Sequence, residues 1–147
     1  MRVKDIMIKN VTTLSSDIPA MEAVKKLFEL EISGLPVVDS DGRIAGMFTE
    51  KDILKAILPS YVERVGKFIY EENPKGIKKK LEGLNNIKVK DLMRKEVVTV
   101  NEETGCCEAA RVMLTQKARR VPVIDSENKV IGMVARCDVL KAFMSGM

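Results

Sequence analysis

Displaced by 86 residues, the chain falls on itself without a gap, Val3–Leu58 aligning with Val89–Met144. Val3-Lys4-Asp5-Ile6-Met7 meets Val89-Lys90-Asp91-Leu92-Met93, and Leu35-Pro36-Val37-Val38-Asp39-Ser40 meets Val121-Pro122-Val123-Ile124-Asp125-Ser126. Gly46-Met47 meets Gly132-Met133, and Asp52-Ile53-Leu54-Lys55-Ala56 meets Asp138-Val139-Leu140-Lys141-Ala142. A repeat fixes the architecture before any local pattern does, because each copy must adopt the same supersecondary unit. The division is a first repeat over 1–58, an insert over 59–88 and a second repeat over 89–147. A unit of this size buries only a marginal core by itself, so the two are expected to pack together.

Within a repeat the patterning is regular. Val11–Leu14 is short and β-branched, and Ser15-Ser16-Asp17 is capping material ahead of Pro19 near a first helical turn. Met21, Val24, Leu27 and Phe28 then fall on one helical face that ends near Ser33-Gly34. Leu35–Val38 is an apolar strand, Asp39–Gly42 a turn, Arg43–Thr49 a second strand of a hairpin, and Glu50–Leu58 a closing helix. The predicted fold is α/β: two pseudo-twofold β-α-β-β-α units packed through their sheets, with a helical insert between them. In the insert, Tyr61, Val65, Phe68 and Ile69 predict one amphipathic helix, and Ile77, Leu81 and Leu84 a second beyond Pro74.

Several kinds of chemistry are removed by what the chain lacks. It has no His, so triads, Cys–His dyads and His-containing metal sites are excluded. Its three Cys (Cys106, Cys107, Cys137) are too few for an all-Cys metal centre, and an odd number, two of them adjacent, points to reduced thiols. Cys106-Cys107 sit where the first repeat has Ala20-Met21, a packing position. No Trp and 4% aromatics leave little for base stacking, although the pI is about 9.0. The net charge of +4 is spread, the only basic run being Lys78-Lys79-Lys80, either a solvated helix face or a contact for an acidic partner. No apolar run reaches membrane-spanning length and no signal-peptide core is present, so the expected location is cytoplasmic.

Three segments carry a family resemblance: Asp-Ile-Met…Val-Thr-Thr-Leu from Asp5, Gly-Leu-Pro-Val-Val-Asp from Gly34, and Gly-Met-Phe-Thr-Glu-Lys-Asp-Ile-Leu from Gly46. Occurring in order and echoed in the second copy, they resemble the tandem CBS-domain pair, or Bateman module. That resemblance implies a regulatory module, not an enzyme, with clefts for adenine nucleotides or S-adenosylmethionine and with no required cofactor and no metal. It also implies a Gly-x-x-Thr/Ser-x-x-Asp segment that holds ribose. Such a carboxylate suits the task because it only accepts hydrogen bonds and can take both ribose hydroxyls. The match is full at Gly46, Thr49 and Asp52; in the second repeat Gly132 and Asp138 stand but the hydroxyl is replaced by Ala135. Thr49-x-x-Asp52 is also what a helix cap looks like, so capping is the competing reading.

By the same resemblance each site is composite. Site A combines Thr49, Asp52 and Met47 with Glu96, Val97, Val98, Ala118, Arg119 and Arg120; site B combines Asp138 and Arg136 with Asn10, Val11, Thr12, Ile32, Ser33 and Gly34. Arg119-Arg120 stand where related nucleotide sensors place a pair near phosphate, a role suited to a planar guanidinium; a solvated surface pair is the alternative. Their counterparts, Ser33-Gly34, bring no charge, which favours site A. The expected partners are an adenosyl ligand, a second copy in a disc-like homodimer and an effector protein not identifiable from the sequence; nucleic acid is disfavoured. A dimerising scaffold that binds no ligand is the alternative function.

Overall fold

The apolar run around Pro36 and the Gly46-centred run pair as predicted. In the computed structural model, which describes residues 1–58 and 74–146, the first repeat contains α1 (Val3–Ile6), β1 (Leu14–Ser15), α2 (Ala20–Leu30), β2 (Gly34–Val38), β3 (Ile44–Thr49) and α3 (Glu50–Ile57). The insert supplies α4 (Pro74–Gly83) and a 3-10 turn, Leu84–Asn86. The second repeat contains α5 (Val89–Leu92), β4 (Val100–Asn101), α6 (Cys106–Thr115), β5 (Arg120–Ile124), β6 (Val130–Ala135) and α7 (Arg136–Met144). The insert segment around Tyr61, Val65, Phe68 and Ile69 lies outside the described residues. No helix among the described residues is long and apolar enough to cross a membrane.

The two sheets are copies of each other. β1 runs parallel to β2 and β2 antiparallel to β3, and β4, β5 and β6 repeat the order and register. Even the irregularity recurs, between Val37 and Val38 and between Val123 and Ile124. The hairpin turns are built alike: the Asp39 carboxylate accepts the N–H of Asp41 and Arg43, as Asp125 accepts those of Glu127 and Lys129. The left-handed turn residue is Gly42 in one and Asn128 in the other, the two residue types that adopt positive φ most readily. The turns meet, Ile44 N–H donating to the Asn128 carbonyl at 2.8 Å.

A folded unit does not coincide with a sequence repeat at its leading edge. Val3 of α1 is buried in the core formed by Val100, Met113, Val121, Val123 and Val134, and Val89 of α5 in the core formed by Leu14, Leu27, Val37 and Phe48. Each repeat therefore lends its first helix to the other. Backbone bonds fasten the exchange symmetrically, Val3 N–H to Thr104 carbonyl at 2.8 Å and Val89 N–H to Ile18 carbonyl at 3.0 Å. The chain continues as a bridge on the foreign sheet, Ile8 exchanging two bonds with Met133 and Arg94 two with Met47. Gly46 and Gly132 are glycines for this reason. A Cβ on Gly46 would stand 2.6 Å from both the Arg94 carbonyl oxygen and the Met93 sulfur, and one on Gly132 would stand 2.9 Å from the Ile8 carbonyl oxygen.

Two local expectations are corrected. Ser15-Ser16-Asp17 does not cap α2; its N-cap is Pro19, which has no capping side chain, and the Ala20 N–H donates instead to the Ile87 carbonyl of the insert at 2.7 Å. The helix stops before Ser33-Gly34, at Glu31, whose left-handed backbone lets Ile32 N–H reach the Leu27 carbonyl. The predicted second insert helix is present, and Leu84 just beyond it is buried in the first core while Lys78, Lys79 and Lys80 are exposed. Cys106 is buried in the second core, which pushes its thiol pKa up, whereas Cys107 and Cys137 are exposed.

Candidate functional site

The last strand of each unit runs directly into its last helix, and that corner carries the predicted carboxylate. Thr49 closes β3 and is the N-cap of α3, with Asp52 in the first helical turn. One oxygen of Asp52, Oδ2, accepts both the Thr49 N–H at 2.8 Å and the Thr49 hydroxyl at 3.1 Å. Asp138 accepts the Ala135 N–H at 2.8 Å in the same way. The capping arrangement is thus realised, and it recurs where no ligand role was expected, from Arg2 N–H to Asp5 and from Lys88 N–H to Asp91. Capping and ligand binding are compatible here. Both Asp52 and Asp138 are half-exposed; no donor among the described residues reaches Oδ1 of Asp52, which is left for hydroxyl donors, whereas Oδ1 of Asp138 accepts the Cys137 thiol at 4.0 Å.

The exchanged segments carry the other residues assigned to the two sites, and each begins from a bridge two residues before a corner. Because Arg94 is bridged to Met47, the chain passes β3 of the first unit on its way to β4, so Glu96, Val97 and Val98 follow immediately after Met47's edge. Val97 and Val98 are half-buried there and Glu96 is exposed. In the mirror arrangement the Ile8–Met133 bridge precedes Asn10, Val11 and Thr12, with Asn10 in a left-handed conformation and the chain then entering β1.

The residues before the central strands also mirror each other, with one instructive difference. Gly34 pairs with Thr49, and Arg120 with Ala135, at the same register of the two hairpins. A Cβ on Gly34 would stand 2.8 Å from the Thr49 methyl. The smaller Ala135 accompanies the larger Arg120, so the missing hydroxyl in the second repeat is one half of a paired exchange of volume across two strands. Sequence comparison of Thr49 with Ala135 alone registers a lost ligand group; the register adds that the smaller residue stands opposite the larger Arg120.

Arg136, expected near a phosphate in site B, is engaged elsewhere. Its Nε–H donates to the Ala118 carbonyl at 3.1 Å and its Nη2 to the Met113 carbonyl at 3.4 Å, while its backbone N–H donates to the Arg119 carbonyl at 3.0 Å. Cation and carbonyl meet at the C-terminal end of α6, where the helix dipole favours positive charge. Arg136 therefore braces the Ala118-Arg119-Arg120 segment from behind. In the first repeat Glu50 makes the backbone bond, N–H to Ser33 carbonyl at 2.9 Å, but its carboxylate cannot donate to a carbonyl.

Arg120 and Ser33, assigned to different sites, line one pocket of about 500 Å³ together with Leu27, Phe28, Glu31, Ile32 and Glu50. Glu31 and Glu50 had not been singled out, and Leu27 and Phe28 only as part of one helical face, although Glu50 opposite Arg136 in the repeat alignment is a reversal of charge that could have marked it. Thr49 and Asp52 adjoin this pocket through Glu50 but do not line it. A larger groove of about 770 Å³ along β4 and α6 contains none of the predicted residues. Two of its carboxylates are already held, Glu103 by Arg2 and Lys4 and Glu108 by Arg111. Among the described residues no group of three or more Cys, Asp or Glu is placed to hold a metal ion.

Comparison with known proteins gives the following. The model of the CBS domain matches residues 3–59 and again 89–145. Inosine-5'-monophosphate dehydrogenase of Methanocaldococcus jannaschii is 33% identical over 140 residues, which are 95% of this chain but only 23% of that enzyme; the chain thus spans about a quarter of that relative. The structure of CBSX2 from Arabidopsis thaliana in complex with AMP superposes with a TM-score of 0.75 at 27% identity, covering 98% of this chain and 96% of the other. The CBS domain pair of protein MJ0100 in complex with 5'-methylthioadenosine and S-adenosyl-L-methionine superposes with a TM-score of 0.72 at 27% identity, covering 100% of this chain and 98% of the other.

Proposed function

We propose that this chain, which belongs to the CBS-domain family and carries the domain twice, is a non-catalytic regulatory module that binds an adenosyl ligand, AMP, ADP, ATP or S-adenosylmethionine. The observation that carries the reading is the Met47–Arg94 bridge, which runs the chain of the second repeat past the Thr49–Asp52 corner of the first. A ligand held there touches both repeats. Asp52 Oδ1 accepts the ribose hydroxyls, Val97 and Val98 offer apolar contact to the base, and Arg119 and Arg120 face the 5′ substituent. Two solved chains that this chain covers almost completely, CBSX2 with AMP and the CBS domain pair of MJ0100 with S-adenosyl-L-methionine and 5'-methylthioadenosine, support the ligand class.

A ligand that bridges two units signals only if it binds one of their arrangements more tightly than another. The proposed output is such a shift, read by an effector protein, with the module in the cytoplasm and acting as a homodimer. Support for the dimer comes from four exposed apolar side chains at two pairs of equivalent positions: Phe28 and Leu114 are 68% and 67% exposed, Leu54 and Leu140 52% and 58%. Repeated exposure of large apolar groups on helices marks an interaction face. The same four residues favour the second reading, a scaffold that dimerises and binds nothing.

Isothermal titration of the protein with AMP, ADP, ATP and S-adenosylmethionine separates the two readings. Micromolar binding, weakened about tenfold or more in Asp52→Asn, is expected; asparagine keeps an oxygen for the Thr49 N–H, so the cap survives while the charge is lost. Loss in Asp138→Asn alone would move the ligand to site B. Absence of heat from folded protein at millimolar ligand would leave the scaffold.

A further inference from the structure

The pocket lined by residues of both predicted sites carries three exposed charges with no protein partner among the described residues. Glu31 and Glu50 reach it from the end of α2 and the start of α3, Arg120 from the start of β5. None of the three side chains makes an ion pair or side-chain hydrogen bond among the described residues, although the surface elsewhere pairs its charges readily, as at Lys90–Asp17 and Arg111–Glu108. Their repeat counterparts do not reproduce the set. Glu50 corresponds to Arg136, which is turned back onto the carbonyls of Met113 and Ala118. The accessible apolar lining of the pocket is Phe28 and Ile32, Leu27 being fully buried in the first core.

Resting on the adenosyl-binding reading above, we infer that this pocket selects a zwitterionic 5′ substituent, a sulfonium amino acid, over a polyphosphate, with Glu50 as the specificity-determining residue. The charges correspond one for one. A sulfonium amino acid carries two cationic centres and one carboxylate; the pocket carries two carboxylates and one guanidinium. Its methylene and methyl groups need an apolar surface, which Phe28 and Ile32 supply. A triphosphate would gain Arg120 and meet repulsion from Glu31 and Glu50 at the same time. Arg120 binds the ligand's carboxylate through its planar fork, and Glu50, whose backbone is fixed to Ser33, faces the cationic end.

The test is competitive titration with S-adenosylmethionine, S-adenosylhomocysteine, ATP and adenosine on wild type, Glu50→Gln and Glu50→Arg. Wild type is expected to bind S-adenosylmethionine most tightly, with S-adenosylhomocysteine, which lacks the sulfonium charge, weaker. Glu50→Gln is expected to lower affinity for S-adenosylmethionine about three- to fivefold, the scale of an exposed charge contact, and to raise that for ATP. Glu50→Arg is expected to reverse the preference. Glu31→Gln, at an exposed helix end, repeats the test at a second position. Wild type preferring ATP, or a preference ratio unmoved by Glu50→Gln and Glu31→Gln, overturns this inference and leaves the adenosyl reading intact. Failure of all four compounds, adenosine included, overturns both.

Discussion

Gly34 and Thr49 face each other across β2 and β3, so closely that a side chain on Gly34 would begin 2.8 Å from the Thr49 methyl. The equivalent pair in the second repeat, Arg120 and Ala135, distributes the volume the other way. Gly34→Arg is therefore expected to destabilise the protein by about 1–3 kcal/mol through overpacking, and Thr49→Ala in the same chain to recover a large part of that loss. A double-mutant cycle from urea midpoints reads the coupling directly. Additive single effects would mean that the two positions are independent and that Ala135 simply lacks a hydroxyl.

Much of the fold was legible because the repeat states each pattern twice. Where a short apolar strand is ambiguous alone, as at Leu35–Val38, its echo at Val121–Ile124 with the same Pro and the same following Asp removes the ambiguity. The limits are equally physical. Val3 and Val89 lie in equivalent sequence positions, and nothing in a sequence tells which of two like cores an apolar helix enters. Gly46 could be read as part of a ligand motif, but its cause is the backbone of Arg94, 48 residues further along the chain and visible only once the chain is folded. Arg136 was assigned to a phosphate in site B, and the carbonyls that hold it, Met113 and Ala118, carry no sequence mark. The Glu31–Glu50–Arg120 pocket draws on three elements and was invisible for the same reason.

At Gly46 the obstruction includes backbone as well as the Met93 side chain. The Arg94 carbonyl oxygen would lie 2.6 Å from an added Cβ, and Met47 and Arg94 are tied by two hydrogen bonds of 2.9 and 2.8 Å that would be strained by any retreat. Gly46→Ala is expected to cost about 1–3 kcal/mol, and Gly132→Ala a similar amount by displacing Ile8 and Met7. Hydrogen exchange should show where the loss falls: faster exchange at the Arg94 amide in the first variant and at the Ile8 amide in the second. Unchanged exchange at both amides would mean that the exchanged segments are not held by these contacts.

Arg136 holds two carbonyls at the end of α6, and its loss leaves them to solvent. Arg136→Met, which keeps most of the stem, is expected to lower stability by about 1 kcal/mol and to weaken adenosyl binding through a looser Arg119-Arg120 segment. Arg136→Lys can reach one carbonyl but lacks the planar fork, so it should recover part of the stability. The pattern separates bracing from direct contact. A residue that touches the ligand would lose affinity in Arg136→Met with no change in thermal unfolding, and that result would restore the phosphate role first expected of it.

The exchanged N-terminal helix is also held by charge. Glu103 receives hydrogen bonds from Lys4, at 2.9 Å, and from Arg2, and its carboxyl is shifted below its ordinary range, chiefly by the Lys4 bond. The Lys4 ammonium is shifted upward, first by its hydrogen bond to Glu103 and then by the charge of that residue. A lowered carboxylate contributes stability that is fully present above its unfolded pKa and disappears as the pH falls through the lower folded value; the raised ammonium contributes below its unfolded pKa and loses that contribution only at strongly alkaline pH. The contact is therefore intact at neutral pH and fails on the acid side. Because these groups are exposed the effect is small and screened by salt. Glu103→Gln is expected to lower the urea midpoint slightly at neutral pH and low salt, with the difference from wild type closing both near pH 3 and in about 1 M salt. A difference that persisted unchanged in acid would assign the effect of Glu103 to packing against α1 rather than to its charge.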